Sequence, residues 1–240
     1  MKSLIRIVSC LFVGIFFISS VQLNAQTSDV MTKADLDGMT PDDVLEQLKE
    51  GNKRFVEGDM VEYNYLDQAE TTAKDGQFPK AVVLSCIDSR VPVETIFNQG
   101  IGDLFVGRVA GNVETVEQMG SYEFATAIAG SKLIVVLGHS SCGAVKGTID
   151  AEAVSKMGHS NLNGLVSQIN PAVLSVIEDD EKRASSNSDL VERVIHENVK
   201  HTIADLRTQS NTLAELEEEG KIKIVGAVYD LPTGKVHWME

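Results

Sequence analysis

Past residue 40 the apolar positions recur first with a helical period and then in short continuous runs. Val44, Leu45, Leu48, Phe55 and Val56 fall on one helical face. Thr40 followed by Pro41, Asp42 and Asp43 supplies the start: an N-cap hydroxyl, a proline where its missing N–H costs nothing, and carboxylates at the positive end of the dipole. The spacing predicts a helix over residues 40–57. Residues 58–79 are polar without a period and read as irregular. Four apolar runs follow, at residues 81–85, 103–107, 132–137 and 221–229. The first three are continuous rather than alternating, the pattern of strands covered on both faces. Helical stretches are predicted around residues 122–129, 144–154 and 190–216. In the last, Val191, Val194, Ile195, Val199, Ile203 and Leu206 share a face. Strands separated by helices predict an α/β fold with a central, mainly parallel β-sheet flanked by helices. No repeat, proline-rich hinge or composition shift divides residues 40–240, which read as a single domain, with residues 26–39 as a linker.

The first 25 residues follow another logic. Lys2 and Arg6 make a short basic start, residues 7–21 are mostly apolar, and Leu23-Asn24-Ala25 ends in the small residue that a signal peptidase accepts. The apolar run is shorter than the roughly 20 residues a spanning helix needs. The expectation is a signal peptide over residues 1–25, export to the periplasm or the medium, and no membrane attachment after cleavage. The whole chain has a formal charge of −14. Residues 1–25 hold two of its cations and no carboxylate, so the remainder carries −16. That excess argues against a nucleic-acid partner, because binding phosphates needs local positive charge. Of three cysteines, Cys86 and Cys142 remain after export. In an oxidising compartment they are either one disulfide or two thiolate ligands of one metal.

Their surroundings bear on that choice. Sites in open α/β sheets form beyond the carboxyl ends of the strands. The first apolar run leads into Cys86-Ile87-Asp88-Ser89-Arg90, and the third into His139-Ser140-Ser141-Cys142-Gly143. Neighbouring strands lie about 4.8 Å apart, so His139 and Cys142 can grip one ion that Cys86 reaches from the next strand. Two thiolates and an imidazole suit zinc, and three protein ligands with one open position is the catalytic arrangement. Two thiolates cancel the charge of the ion. Water bound there is expected to be less acidic than on a three-histidine zinc, where its pKa is about 7. Asp88 beside the metal could accept a hydrogen bond from bound hydroxide, and an Arg90 fork would keep it ionised. An ordinary strand-end salt bridge is the plainer reading of that pair.

These residues resemble those of a known family. C-x-D-x-R (Cys86, Asp88, Arg90) followed by H-x-x-C (His139, Cys142) resembles the β-class carbonic anhydrases. Arg108-Val109-Ala110-Gly111-Asn112 is similar to the family's R-x-A-x-N stretch, and the match extends over residues 40–238. The resemblance implies reversible hydration of carbon dioxide to bicarbonate and a proton by zinc-bound hydroxide, with one zinc per chain on Cys86, His139 and Cys142. It implies that Asp88 orients the hydroxide and Arg90 holds Asp88. It also implies a homodimer or dimer of dimers, with the helix of residues 41–57 wrapping the partner. One departure matters. The bicarbonate-regulated subgroup has a Trp three residues before the first zinc Cys, where this chain has Val83, and the sole Trp is Trp238. The expected state is therefore the open form, with water rather than Asp88 on zinc. Arg108 matches one residue of that subgroup's anion pocket.

Two rival readings stay in view: a hydrolase of carbonyl sulfide or carbon disulfide on the same fold, and a non-catalytic zinc or disulfide protein. His196 and His201 superficially resemble an H-E-x-x-H pair but stand five apart, on different sides of a helix. Neither Gly100–Gly102 nor Gly138–Gly147 completes a nucleotide-binding fingerprint.

Overall fold

The computed structural model describes residues 26–178 and 181–239; the leader read over residues 1–25 lies outside them. Its centre is a five-stranded sheet in the order β2-β1-β3-β4-β5. The strands are β1 (Ala81–Ser85), β2 (Leu104–Arg108), β3 (Leu133–His139), β4 (Lys223–Tyr229) and β5 (Val236–Trp238). The first four run parallel and β5 returns antiparallel along β4. Every residue of β1 and β3 is buried. Successive side chains face two different apolar layers, which is why these strands read as unbroken hydrophobic runs. Val82, Leu84, Ile134 and Val136 enter one core with Ile169, Val194 and Val199. Val83, Leu133, Val135 and Leu137 enter another with Val44, Leu48 and Phe97.

Three helices precede the sheet: α1 (Lys33–Asp37), α2 (Pro41–Glu57) and α3 (Tyr65–Asp75). Short α4 (Val93–Ile96) follows β1, and α5 (Val116–Glu123) follows β2, running into a π turn over Phe124–Ile128. Between β3 and β4 lie α6 (Gly143–Ile149), α7 (Ala151–Lys156), α8 (Ser160–Val176), α9 (Ser188–Gln209) and α10 (Asn211–Glu218). Helix α2 starts as its sequence predicts. The Thr40 hydroxyl accepts from Asp43 N at 3.2 Å, and the Asp43 carboxylate accepts from Thr40 N at 2.9 Å. Its apolar residues Val44 and Leu48 pack against its own sheet, while Val56 near its end is exposed. No helix among the described residues is long and apolar enough to cross a membrane.

Several elements differ from the sequence reading, each for a local reason. The linker of residues 26–39 holds α1, closed by a second capping box of Thr32 and Asp35, and buries Leu36. The irregular stretch of residues 58–79 holds α3, whose one buried residue is Gln68, so no apolar stripe announces it. Helix α8 falls in a stretch the sequence leaves unassigned, with Pro171 standing inside it. The predicted helix of residues 190–216 is two helices divided at Ser210. The Ser210 hydroxyl accepts from Leu213 N to start α10 and donates to Glu123. Strand β5 has three residues, too few for a period. Helix α9 crosses β3 and β4 at two glycines: a Cβ at Gly138 or Gly226 would stand 2.9 or 2.8 Å from Val199. Without side chains there, the middle of α9 settles directly on the sheet.

Candidate metal centre

The parallel pairing of β1 with β3 sets Ser85 opposite Leu137, so Cys86 emerges beside Gly138 and His139. Beyond His139 the chain turns sharply at Ser141, whose φ of 57° is left-handed. That turn brings Cys142 back at the foot of α6. The ligand atoms of Cys86, His139 and Cys142 lie within 4.8 Å of one another, and all three residues are buried. Tetrahedral zinc with Zn–S about 2.3 Å and Zn–N about 2.0–2.1 Å has ligand atoms roughly 3.5–3.8 Å apart, a triangle of this size.

The donor chemistry fits zinc as well as the spacing does. His139 Nδ1 lies 3.0 Å from the Ser140 carbonyl, and a carbonyl only accepts, so Nδ1 carries the proton. That leaves a lone pair on Nε2, which is buried without a hydrogen-bond partner. An orphan of that kind is costly unless it serves as a ligand. Cys86 and Cys142 are free cysteines, so the disulfide reading fails. The two thiols face each other: a hydrogen bond from Cys142, helped by the Gly111 N–H, holds the Cys86 thiol far below its ordinary value despite burial. The same bond, together with burial, pushes Cys142 up. A divalent cation would replace the proton between them and take both sulfurs as thiolates.

Gly111 N–H donates to Cys86 Sγ at 3.3 Å. Gly111 has φ of +74°, and a Cβ on it would lie 2.5 Å from Ile169 Cδ1, so no other residue fits there unstrained. Asp88 stands at the rim. Its Oδ1 accepts from Arg90 N and Nε, both at 2.9 Å, and its Oδ2 from Arg90 Nη2 at 2.7 Å. This two-pronged clasp holds the carboxyl well below the usual carboxylate range. Asp88 Oδ2 is 3.8 Å from His139 Nε2, too far for a hydrogen bond but close enough to face the same ion. Arg108 donates to the backbone carbonyls of Cys86 and Asp88, pinning the loop that carries both.

The sequence reading missed two parts of this site. The role of Gly111 was hidden because a backbone N–H leaves no mark in residue type. Asn198 on α9, which donates to Gly111 O at 2.7 Å, lies too far along the chain for any spacing to single it out. The decoys stay apart. His201 lies 3.7 Å from Glu197 of its own helix, and His196 and His237 line a cavity that Ser140 and Ser141 also border, without joining the three ligand atoms. Among the described residues, Cys86, His139 and Cys142 are the one group of three or more such side chains placed to hold an ion.

Two buried sulfurs and an imidazole at the carboxyl edge of a parallel sheet, with a clamped carboxylate beside them, define a mononuclear zinc enzyme of α/β architecture. Comparison with known proteins narrows this. The sequence profile of the carbonic anhydrase family matches residues 81–236. A carbonic anhydrase of Mycolicibacterium smegmatis is 37% identical over 79% of this chain and 88% of its own. Carbonic anhydrase 2 of Mycobacterium tuberculosis is 37% identical over 78% of this chain and 87% of its own. The solved structure of the β-carbonic anhydrase CcaA superposes with a TM-score of 0.64 at 25% identity, over 82% of this chain and 95% of that one. The chain belongs to the β-carbonic anhydrase family.

Proposed function

We infer that this protein catalyses the reversible hydration of carbon dioxide to bicarbonate and a proton, with one zinc per chain held by Cys86, His139 and Cys142. The observation that carries this reading is the unpartnered His139 Nε2 facing two free buried sulfurs. The relatives named carbonic anhydrase, at 37% identity over most of the chain, support it. Zinc bound there supplies the acidified water that attacks carbon dioxide. The protein's own part is positional. The Ser140 carbonyl fixes the His139 tautomer. The Gly111 N–H draws charge from the Cys86 sulfur. Asp88 accepts a hydrogen bond from the nucleophile and so aims its lone pair at the substrate carbon. Because Arg90 occupies both Asp88 oxygens, the carboxylate stays ionised and off the metal, which is the open form.

Two further readings complete the proposal. The protein is a homodimer or a dimer of dimers. Strand β2 lies at the open edge of the sheet, and the segment that follows it exposes Val116, Phe124 and Ile128. A bare edge flanked by apolar side chains calls for a cover, and a second copy supplies one. The protein is also exported, with the leader of residues 1–25 removed, on the strength of its basic start, short apolar run and small-residue end.

The test uses the zinc-loaded protein as recovered from the periplasm. Carbon dioxide hydration is expected, rising with pH as the bound water ionises and abolished by a chelator. Turnover of carbonyl sulfide or carbon disulfide with none of carbon dioxide would overturn the substrate reading. On the same material, intact mass is expected to start the chain at Gln26, and light scattering to report twice that mass or a doubling of it. A chain that keeps its leader, or a monomer, would refute the corresponding part.

A further inference from the structure

Gly111 stands where nothing of its own fixes its direction. Its φ of 74° is left-handed, and the next residue, Asn112, is left-handed too at 45°. A glycine turns through such angles at little cost, so the aim of its N–H has to be set from outside. From the strand side the loop is tied at Val109, whose N–H reaches Ser85 O and whose carbonyl accepts from Ile87 N and Asn112 N. The rest of the hold comes from α9. Asn198 Nδ2 donates to Gly111 O at 2.7 Å, and one turn further on Thr202 Oγ1 donates to Asn112 O at 3.3 Å. Both residues are buried. The register of α9 is itself set one residue away, where Val199 lies over Gly138 and Gly226.

We propose that Asn198 is a positioning residue of the metal site: by grasping the Gly111 carbonyl it keeps the Gly111 N–H on the Cys86 sulfur, and so sets how much charge that sulfur gives to the metal. The proposal rests on the reading of Cys86 as a zinc ligand. Asn198 bonds a backbone carbonyl, so it acts through Gly111 and not on the reacting atoms. The Gly111 N–H lies 3.3 Å from Cys86 Sγ. A thiolate that accepts an N–H gives less charge to its metal, which is one way a protein tunes a sulfur-bound site. With two thiolates on one divalent ion, charge held back on sulfur keeps the ion a stronger Lewis acid. Take the asparagine amide away and a buried carbonyl loses its donor, an expensive state that a glycine peptide relieves by turning. The adjoining N–H then swings off the sulfur.

A spin-half cadmium isotope and cobalt(II), each loaded in place of zinc, report on that sulfur directly. In the cadmium form of the wild type, the Gly111 amide proton is expected to show a scalar coupling to the metal, carried through the hydrogen bond and Cys86 Sγ. Asn198→Leu, of similar size and with no N–H to offer, is expected to lose the coupling. In its cobalt form the thiolate charge-transfer band is expected to move to longer wavelength, because a sulfur freed of its donor gives up charge more easily. Asn198→Ala repeats the test with a smaller side chain. Thr202→Val removes the neighbouring bond to Asn112 and should keep both coupling and band. Absence of coupling in the wild type, which needs no variant to fold, would overturn the proposal. Coupling and band unchanged in the Asn198 variants would do the same. Equal losses in Thr202→Val would mark a contact that merely holds the loop together, and would overturn it too. Neither readout is turnover. A failed carbon dioxide assay therefore leaves this test standing, whereas metal bound without Cys86 would remove the zinc reading and the proposal together.

Discussion

Replacing Cys142 with serine will cost the protein its zinc and its hydratase activity together, without unfolding it. Cys142 sits fully buried at the foot of α6, one of three ligand atoms within a 4.8 Å triangle. A serine hydroxyl is of similar size, so the turn at Ser141 and the start of α6 survive. It is a harder donor than sulfur and stays protonated near neutral pH, so the remaining Cys86 and His139 bind the ion far more weakly. Metal analysis after dialysis against a mild chelator should give about one zinc per wild-type chain and almost none in the variant. The specificity constant kcat/KM should fall by on the order of a thousandfold, the scale of a lost Lewis acid worth several kcal/mol. Far-UV circular dichroism should be unchanged, because the strands that carry the site are held by their own apolar layers. Full activity in the serine variant would remove the metal centre from the chemistry altogether.

Asp88→Asn will keep the zinc and lose rate. Asparagine matches the carboxylate in shape, but one of its two terminal atoms becomes a donor. It cannot accept from both Arg90 Nε and Nη2 as Asp88 does, and it turns an N–H toward Arg90 or toward the nucleophile. A ten- to hundredfold fall in kcat/KM at unchanged zinc content is expected, the usual scale for a group that orients a metal-bound reactant. Arg90→Lys should fall between wild type and Asp88→Asn, since a lysine keeps the charge but not the fork. The pair also leaves a signature in stability. The folded-state pKa of Asp88 is depressed, chiefly by its hydrogen bond to Arg90. Its contribution is therefore present above the ordinary aspartate pKa of 3.8 and is lost as pH falls below it. Thermal unfolding between pH 3 and 7 should show a shallower acid decline in Asp88→Asn than in wild type. Equal acid slopes together with undiminished kcat/KM would leave Asp88 without the role proposed for it.

Much of the fold was legible because its signals are local. The strands that carry the metal ligands are buried on both faces, so β1 and β3 announced themselves as unbroken apolar runs. Helix α2 was visible from its N-cap threonine, proline and acidic first turn and from its apolar stripe. What stayed hidden had no such signal. Helix α3 buries a single glutamine, α8 contains Pro171, and β5 pairs with β4 over three residues. Ser210 divides the long C-terminal helical stretch through a hydrogen bond to Glu123, 87 positions away. In each case a partner distant in the chain, rather than the segment's own period, decided the outcome.

By itself the sequence determined which atoms could bind the metal. Thiol and imidazole chemistry belongs to residue type, and C-x-D-x-R and H-x-x-C at the ends of apolar runs state that chemistry wherever they occur. Only the tertiary structure decided that β1 and β3 lie side by side, that the Asp88 carboxylate is clasped by Arg90 on both oxygens, and that α9 reaches back 87 residues to hold Gly111 against a sulfur. Such contacts join segments with no shared periodicity and run partly through backbone N–H and C=O groups, which every residue but proline carries alike.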